Sequence, residues 1–584
     1  MLRIADKCSS GRIRDKIFGA GACFWVSMFG ILSSLYAVCY RLDYADHFPI
    51  GDEPSYLQGT LEQGPLEWCT RGFSAYFVVY PEWFHQFTNF LRPVGNLATY
   101  VNYLFFGNRY SLHFASFFAL QFVGLVLFVR LLKLGGVAEG APKWLLGALF
   151  LFNPAFLNWG LFSIPYQFDV GAAVLLLGAF SALCAERVAL TVGLVGLAVF
   201  TKEPALGAPV AAALSIVLMR RRIGFPVASL VLIIALWMLL RTYAFGGVLN
   251  GVYAVPDSIS GLLLRVVRGL MFWPTGLVQD GSLDAVAVFL CSRKLTPSTS
   301  RFLISLVANV AVWACLGYAT WSMVSRRVPG VTPEKRLQRG LLVWMIVALV
   351  PGVLFAQSSR FGASIFTFVF LFFGVCAFGH PSVRVRFPRW VVVTLMAILA
   401  GTVCQHMVRF TSAASKSFAI RTATRALRDA LQALPQDGRT VYVVHAPMTH
   451  GSPEYLDEGW GLRLNVIFIS QFTGCVREMG GGPWSATLTP QGHLEAILPK
   501  CASVAFSGVS SSLLMDGLNG SVTRSGVGVY KFPDGHMSLP QNCGLLEPRL
   551  ELGHRLIVHL ENGSTQQTLA YDWTTGRYVT VQPS

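Results

Sequence analysis

The sequence predicts a polytopic α-helical membrane protein of about eleven transmembrane helices over 1–410. A C-terminal extracytoplasmic domain of α+β or mostly β type follows over 411–584. Three observations predict this. Of 584 residues, 53% are hydrophobic and 13% charged, against roughly 25% charged in ordinary globular chains. The apolar residues come in runs close to the roughly 20 that cross a bilayer, and mean hydropathy is +0.53. The net charge of +16, from 46 Lys+Arg against 30 Asp+Glu, lies wholly in 1–410, because 411–584 carries 13 of each sign. A disordered, disulfide-stapled or ordinary cytosolic chain is excluded on composition. Nucleic-acid binding is excluded as well: the cations sit in short loops between apolar runs and not on one basic face, and no reading module accompanies them.

The first apolar segment, 17–40, follows Arg3, Lys7, Arg12, Arg14 and Lys16 and lacks a small-residue cleavage site, so it reads as a retained anchor. Further spans are predicted at 111–134, 144–162, 168–185, 189–201, 204–219, 224–243, 301–324, 339–356, 360–379 and 389–408. Segments 93–107 and 262–278 are short or Arg-bearing and read as interfacial; Arg265 and Arg268 in the second read as interfacial anchors. With the N-terminus inside, alternation puts Arg130, Lys133, Lys143, Arg187, Arg220–Arg222, Arg326, Arg327, Lys335, Arg336, Arg339, Arg384, Arg386 and Arg389 in inside loops, the positive-inside pattern. An odd number of spans then leaves the neutral tail outside. Acids inside the predicted spans are almost absent, Glu203 lying at a break.

The longest early connection is the first outer loop, 41–110, and a connection of that length is functional or disordered. It carries Asp52 and Glu53 just past the first span, an aromatic stretch over 73–87 containing Glu82, Trp83 and His85, then Arg92-Pro93, Gly95-Asn96 and His113 at the opening of the next span. Two later pieces face the same side: Thr201-Lys202-Glu203-Pro204 between two half-length apolar segments, and Ser359-Arg360-Phe361 at a late span's start.

This order of motifs resembles the GT-C superfamily, the integral-membrane glycosyltransferases that use polyprenyl-phosphate-linked sugars. Protein O-mannosyltransferases and bacterial lipid A or polysaccharide sugar transferases are examples. The resemblance covers roughly 40–410 and implies a GT-C-like fold. Relatives often have an Asn and a second His one and two turns after the first; here Ser116 and Leu120 or Gln121 stand in that region, and Phe361 stands where many have Tyr. The sugar stays open on that account.

The resemblance implies transfer of a sugar from a polyprenyl phosphate to a hydroxyl of a glycan, lipid or protein. The leaving lipid phosphate departs without a proton, so no general acid is needed, unlike the paired carboxylates of glycosidases. The acceptor hydroxyl needs a base and the departing phosphate needs cations. Asp52 is the expected base, with Glu53 beside it. Arg92, Lys202 and Arg360 are the expected phosphate contacts, Arg gripping with a planar fork and Lys as a point charge. Glu82, His85 and His113 are expected donor or acceptor contacts. A single displacement would invert the anomeric centre. The sequence names no cofactor for certain; Asp52 and Glu53 are groups a divalent cation would take, though two adjacent carboxylates are weak evidence for one, and the metal requirement is not readable. The expected partners are the polyprenyl-phosphate sugar, membrane lipids and the acceptor, and the expected location is a bacterial inner membrane with the tail in the periplasm.

In the tail, 411–435 reads as an amphipathic helix with Ile420, Ala423, Leu427 and Leu431 on one stripe, stopped at Pro435–Gly438. Strand-like runs follow at 440–447, 464–470, 503–508, 527–532, 555–560 and 568–573. Cys475, Cys501 and Cys543 lie in this domain and Cys69 and Cys291 in outer loops, with pairing not readable. Asn519 and Asn562 fit the glycosylation pattern. Two other functions would leave different marks. An envelope polysaccharide polymerase or ligase would place several Arg in a late outer loop. A transporter would show an internal repeat and mid-span charges, and no repeat is visible.

Overall fold

The computed structural model describes residues 91–106, 110–151, 167–220, 224–245, 297–325, 332–355 and 363–381, and isolated positions besides. In the tail it describes 425–444, 462–471 and the strands named below. The first predicted span, the 262–278 segment and the 527–532 run lie outside the described residues, apart from isolated positions.

Proline, glycine and charge punctuate the helices where the sequence says they should. α1 (Pro93–Phe106) opens on proline at its first position, where a missing N–H is harmless. α2 (Tyr110–Leu134), α3 (Ala141–Leu151), α4 (Gln167–Cys184) and α5 (Val188–Thr201) follow. A 3₁₀ turn, Glu203–Gly207, leads into α6 (Ala208–Arg220) and then α7 (Phe225–Phe245). α8 (Pro297–Ser325), α9 (Pro333–Phe355) and α10 (Ala363–Phe378) complete the described helices. Within α2, α4 and α7, the stretches Ala115–Leu134, Gln167–Cys184 and Phe225–Tyr243 are long and apolar enough to cross a membrane. α5 and α6 have 14 and 13 residues, about 20 Å each at 1.5 Å per residue, too short to cross alone. Pro204 and Pro209 cannot supply the N–H groups that would fuse them into one helix.

α4 is enclosed along nearly its whole length, from Gln167 to Leu183. It packs against α2, α5, α6 and α10. Its neighbours approach through Ala172, Ala173, Ala179, Ala198, Ala211 and Ala212. Small residues are what membrane helices use for close packing, since burying Leu from lipid gains little. Larger side chains set the register. Phe180, Trp344 and Phe368 meet at ring centroids 5.2–5.9 Å apart, and Trp344 Nε1 donates to Ser215 Oγ at 3.1 Å, joining α9 to α6. α7 is the reverse case: Leu232, Leu236 and Leu239 are exposed along an apolar helix, the surface a lipid-facing helix presents.

Two helix ends close in the same hydrogen-bond pattern. After α2, Gly136 N–H reaches Lys133 O and Val137 N–H reaches Leu132 O, with Gly136 at φ 77°. After α4, Glu186 N–H reaches Leu183 O and Arg187 N–H reaches Ala182 O, with Glu186 at φ 64°. This is the left-handed helix stop that glycine adopts freely and glutamate does not. The first of these turns is tied to α10, because His380 N–H donates to Gly135 O at 3.1 Å. α9 begins at the same end, where Gln338 Nε2 donates to Val383 O at 3.0 Å. Lys133, Lys143, Arg187, Lys335, Arg336, Arg339 and Arg384, all predicted for inside loops, therefore belong to turns and helix ends gathered at one end of the bundle.

The tail folds on a separate hydrophobic core. A five-stranded mixed sheet has the order β5-β2-β1-β8-β9, with β1 Thr440–Val444, β2 Asn465–Gln471, β5 Ala505–Ser507, β8 Gln567–Asp572 and β9 Arg577–Thr580. β1 is central and parallel to both β2 and β8, while β8 and β9 form an antiparallel pair. Helical residues 425–432 lay Leu427 and Leu431 against Val441, Val443, Leu464 and Leu569. A second, antiparallel sheet has the order β3-β4-β7-β6, from Ala486–Leu488, His493–Ile497, Arg555–His559 and Leu513–Asp516. The described part of the tail thus combines a helix with two sheets. Sequence reading missed β3, β4 and β6, which are short and lack a β-branched run, and β9, whose Tyr578-Val579-Thr580 suits a strand but spans only four residues with Arg577.

Candidate functional site

The chain breaks between α5 and α6 where the sequence sets Thr201-Lys202-Glu203-Pro204. Thr201 ends its helix by turning its hydroxyl back to Leu197 O at 2.7 Å. Lys202 is fully extended, at φ −156° and ψ 134°. That single extended residue sends two adjacent charged side chains to different elements. Lys202 Nζ reaches the Asp169 carboxylate in the first turn of α4 at 3.1 Å. Glu203 takes both of its contacts from Arg92 Nε, at 2.9 and 3.0 Å. Arg92 immediately precedes α1, so a contact 111 residues apart in sequence ties the end of the first loop to the helix break.

All four side chains are deeply buried: Arg92 6%, Asp169 6%, Lys202 4% and Glu203 1% exposed. Such charges survive in a low-dielectric site only when paired and hydrogen-bonded. The helices help. Asp169 lies at the positive N-terminal end of α4, and Lys202 follows the negative C-terminal end of the antiparallel α5. Close approach of α1 depends on Gly95, where a Cβ would stand 3.1 Å from Phe168 Cγ and 3.1 Å from Thr201 O. Asn96, beside it, and Thr99, one helical turn on, are also buried, so α1 turns a polar face inward while Leu97, Leu104 and Phe105 are exposed. The cluster stands at the end of α4 and α5 opposite the Glu186–Arg187 turn.

Of the residues expected from sequence, Arg92 and Lys202 come together here. His113 lies near them. It is buried in the first turn of α2, edge-on to Phe106 at 5.6 Å, and its carbonyl accepts from Gln167 Nε2 at 3.0 Å, two residues before Asp169. Ser116 donates to Asn102 Oδ1 at 3.3 Å, and Gln121 is buried in mid-helix. Asp52, Glu53, Glu82, His85 and Arg360 lie outside the described residues, as do Arg265, Arg268 and Phe361. So does the Asp52–Glu53 pair considered for a divalent cation. Among the described residues, no three His, Cys, Asp or Glu side chains gather as a metal site.

Sequence reasoning missed Asp169. Acids are almost absent from the predicted spans, yet Asp169 is an acid within the predicted span 168–185. An ionisable residue at such a position is a functional candidate by default. Arg241 was missed in the same way. It lies inside the predicted span 224–243, is fully buried, and stands over the Trp237 ring at 5.6 Å.

No protein-family model and no curated protein sequence matches the chain. Among solved structures it is similar to ArnT from Cupriavidus metallidurans bound to undecaprenyl phosphate, with 12% identity and a TM-score of 0.40, over 76% of this chain and 86% of that one. It is similar to the same protein in the apo state, with 16% identity and a TM-score of 0.33, over 77% and 87%. It is similar also to the arabinofuranosyltransferase AftD from Mycobacteria, with 14% identity and a TM-score of 0.33, over 75% of this chain and 31% of that one.

Proposed function

We propose that this chain is an integral-membrane glycosyltransferase that moves a sugar from a polyprenyl-phosphate-linked donor to an acceptor hydroxyl. The observation that carries the reading is the buried meeting of Arg92 and Lys202, the described pair of cations that the sequence resemblance assigns to the lipid phosphate. They stand at the end of the bundle opposite the cation-bearing turns, which the positive-inside rule makes the outer face. A polyprenyl chain reaches such a site sideways from the bilayer, and its phosphate meets desolvated cations where their field is strongest.

In this reading Asp52 takes the proton of the acceptor hydroxyl as it attacks the anomeric carbon. The bond to the carrier phosphate breaks on the opposite face, and the configuration inverts. Arg92, Lys202 and Arg360 stabilise the departing phosphate, Glu53 flanks the base, and Glu82, His85 and His113 line the donor and acceptor positions. The departing phosphate gains negative charge, which Arg92, Lys202 and Arg360 offset in this reading; a divalent cation held by Asp52 and Glu53 is the alternative source of positive charge. The tail stands on the outer side, the periplasm of a bacterium, and helps select the acceptor.

The test is transfer from a labelled polyprenyl-phosphate sugar in membranes holding wild type or Asp52→Asn. Loss of at least 10²-fold is expected for removal of a general base. Full transfer by Asp52→Asn would remove Asp52 from its role, and no use of any lipid-linked donor by wild type would remove the class.

A further inference from the structure

Among the described residues the charges of this cluster balance in pairs. Arg92 is matched by Glu203 and Lys202 by Asp169, with all four side chains shut from water. A phosphate entering this arrangement would add one or two negative charges to a desolvated site of paired charges, which is strongly unfavourable. One carboxylate has to release its cation. The two are not held alike. Glu203 receives two contacts from one guanidinium nitrogen and is the first residue of the proline-stiffened 3₁₀ turn. Asp169 holds Lys202 through a single ammonium contact at 3.1 Å. It sits in the first turn of α4, where free backbone N–H groups can stabilise the carboxylate once the lysine leaves. A lysine on a four-carbon stem with three rotatable donors can swing between two anions; a planar arginine fork exchanges less readily.

We propose that Asp169 is the resident counter-ion of the carrier-phosphate site, holding the Lys202 ammonium in the empty protein and releasing it to the phosphate of the lipid. This rests on the reading of Lys202 as a phosphate ligand. It makes Asp169 a positioning residue that competes with the ligand. Asp169 therefore limits affinity for the carrier, and this lets the spent polyprenyl phosphate leave after transfer.

The test uses the full chain in nanodiscs of neutral phosphatidylcholine, with undecaprenyl phosphate, undecaprenol and inorganic phosphate as probes. Wild type is expected to bind undecaprenyl phosphate well above the alcohol. Inorganic phosphate binding equally well would mean that free phosphate, not the lipid, is what the site takes. D169N, which keeps the shape and an oxygen for the lysine, is expected to bind undecaprenyl phosphate about tenfold or more tighter, a difference of about 1.4 kcal/mol. A second pair removes any dependence on the folding of D169N: K202Q/D169N, in which both charges are gone, should bind about tenfold tighter than K202Q alone. Equal or weaker binding in both comparisons, with wild type still preferring the phosphate, would overturn the proposal and leave Asp169 as a structural clasp. Wild type that does not distinguish phosphate from alcohol would overturn the phosphate reading itself.

Discussion

The Arg92–Glu203 pair sets a quantitative expectation. Glu203 is 1% exposed and Arg92 6% exposed, and the carboxylate accepts at 2.9 and 3.0 Å from the same nitrogen. Replacing Glu203 by leucine takes away that carboxylate and leaves a guanidinium in a site closed to water. Breaking a buried pair from one side costs about 3–5 kcal/mol. Arg92→Met leaves the carboxylate in the same position, with a similar loss. Removing both replaces two charges by apolar groups of comparable volume, which is often nearly neutral. The double variant should therefore lose far less than the sum, with a coupling of about 3 kcal/mol or more, at the upper end for contacting residues. The assay is unfolding of the purified full chain in mixed micelles, titrated with denaturing detergent, for wild type, both singles and the double. Additive losses would refute the reasoning, and so would single variants within about 0.5 kcal/mol of wild type, the range of an ordinary surface change. Either outcome would mean that water reaches the pair or that another group of the cluster takes the place of the lost partner.

Two further expectations follow from the turn after α2 and from the tail. At Gly136, φ is +77° and an added Cβ would stand 2.7 Å from His380 Cβ and 2.8 Å from its backbone nitrogen; Gly136→Ala should lose about 2 kcal/mol or more in the same micelle titration, since the left-handed backbone alone costs about 1–2. Tyr578 pairs with Tyr571 across β8 and β9 at 5.0 Å, and its hydroxyl is buried without a hydrogen-bond partner among the described residues. Tyr578→Phe should thus slow amide exchange in β9 of the full chain by a factor matching about 1 kcal/mol. Burial, with a smaller contribution from Tyr571, holds the Tyr578 phenol well above its ordinary value near 10. The folded state then favours the neutral form. Its contribution to stability is complete below pH 10 and is lost as pH rises from 10 toward the higher folded value, and Tyr578→Phe should flatten that loss.

Much of the molecule is legible in the chain because hydrophobic length and proline position are local properties. The predicted spans 111–134, 168–185, 189–201 and 224–243 agree with α2, α4, α5 and α7 to within two residues at each end. The break at Lys202-Glu203 is readable because Pro204 forces it. The tail is less legible. Its parallel strands β1 and β2 stand out as Val- and Ile-rich runs, whereas Ala486–Leu488 and Leu513–Asp516 acquire strand geometry only by pairing with neighbours. What no local reading supplies is the pairing of charges. In sequence, Lys202 and Glu203 look like a mutually neutralising neighbour pair. An extended residue between two helices points adjacent side chains in opposite directions, so each finds its partner elsewhere: Asp169 33 residues back and Arg92 111 residues back. The sequence by itself determined that the chain carries helices long and apolar enough to cross a membrane, which loops hold the surplus cations and where the helix breaks. Only the packing of α1, α4 and α5 around Gly95 decided that two cations and two carboxylates share one dry site, because burial and pairing belong to the assembled bundle and to no single segment of it.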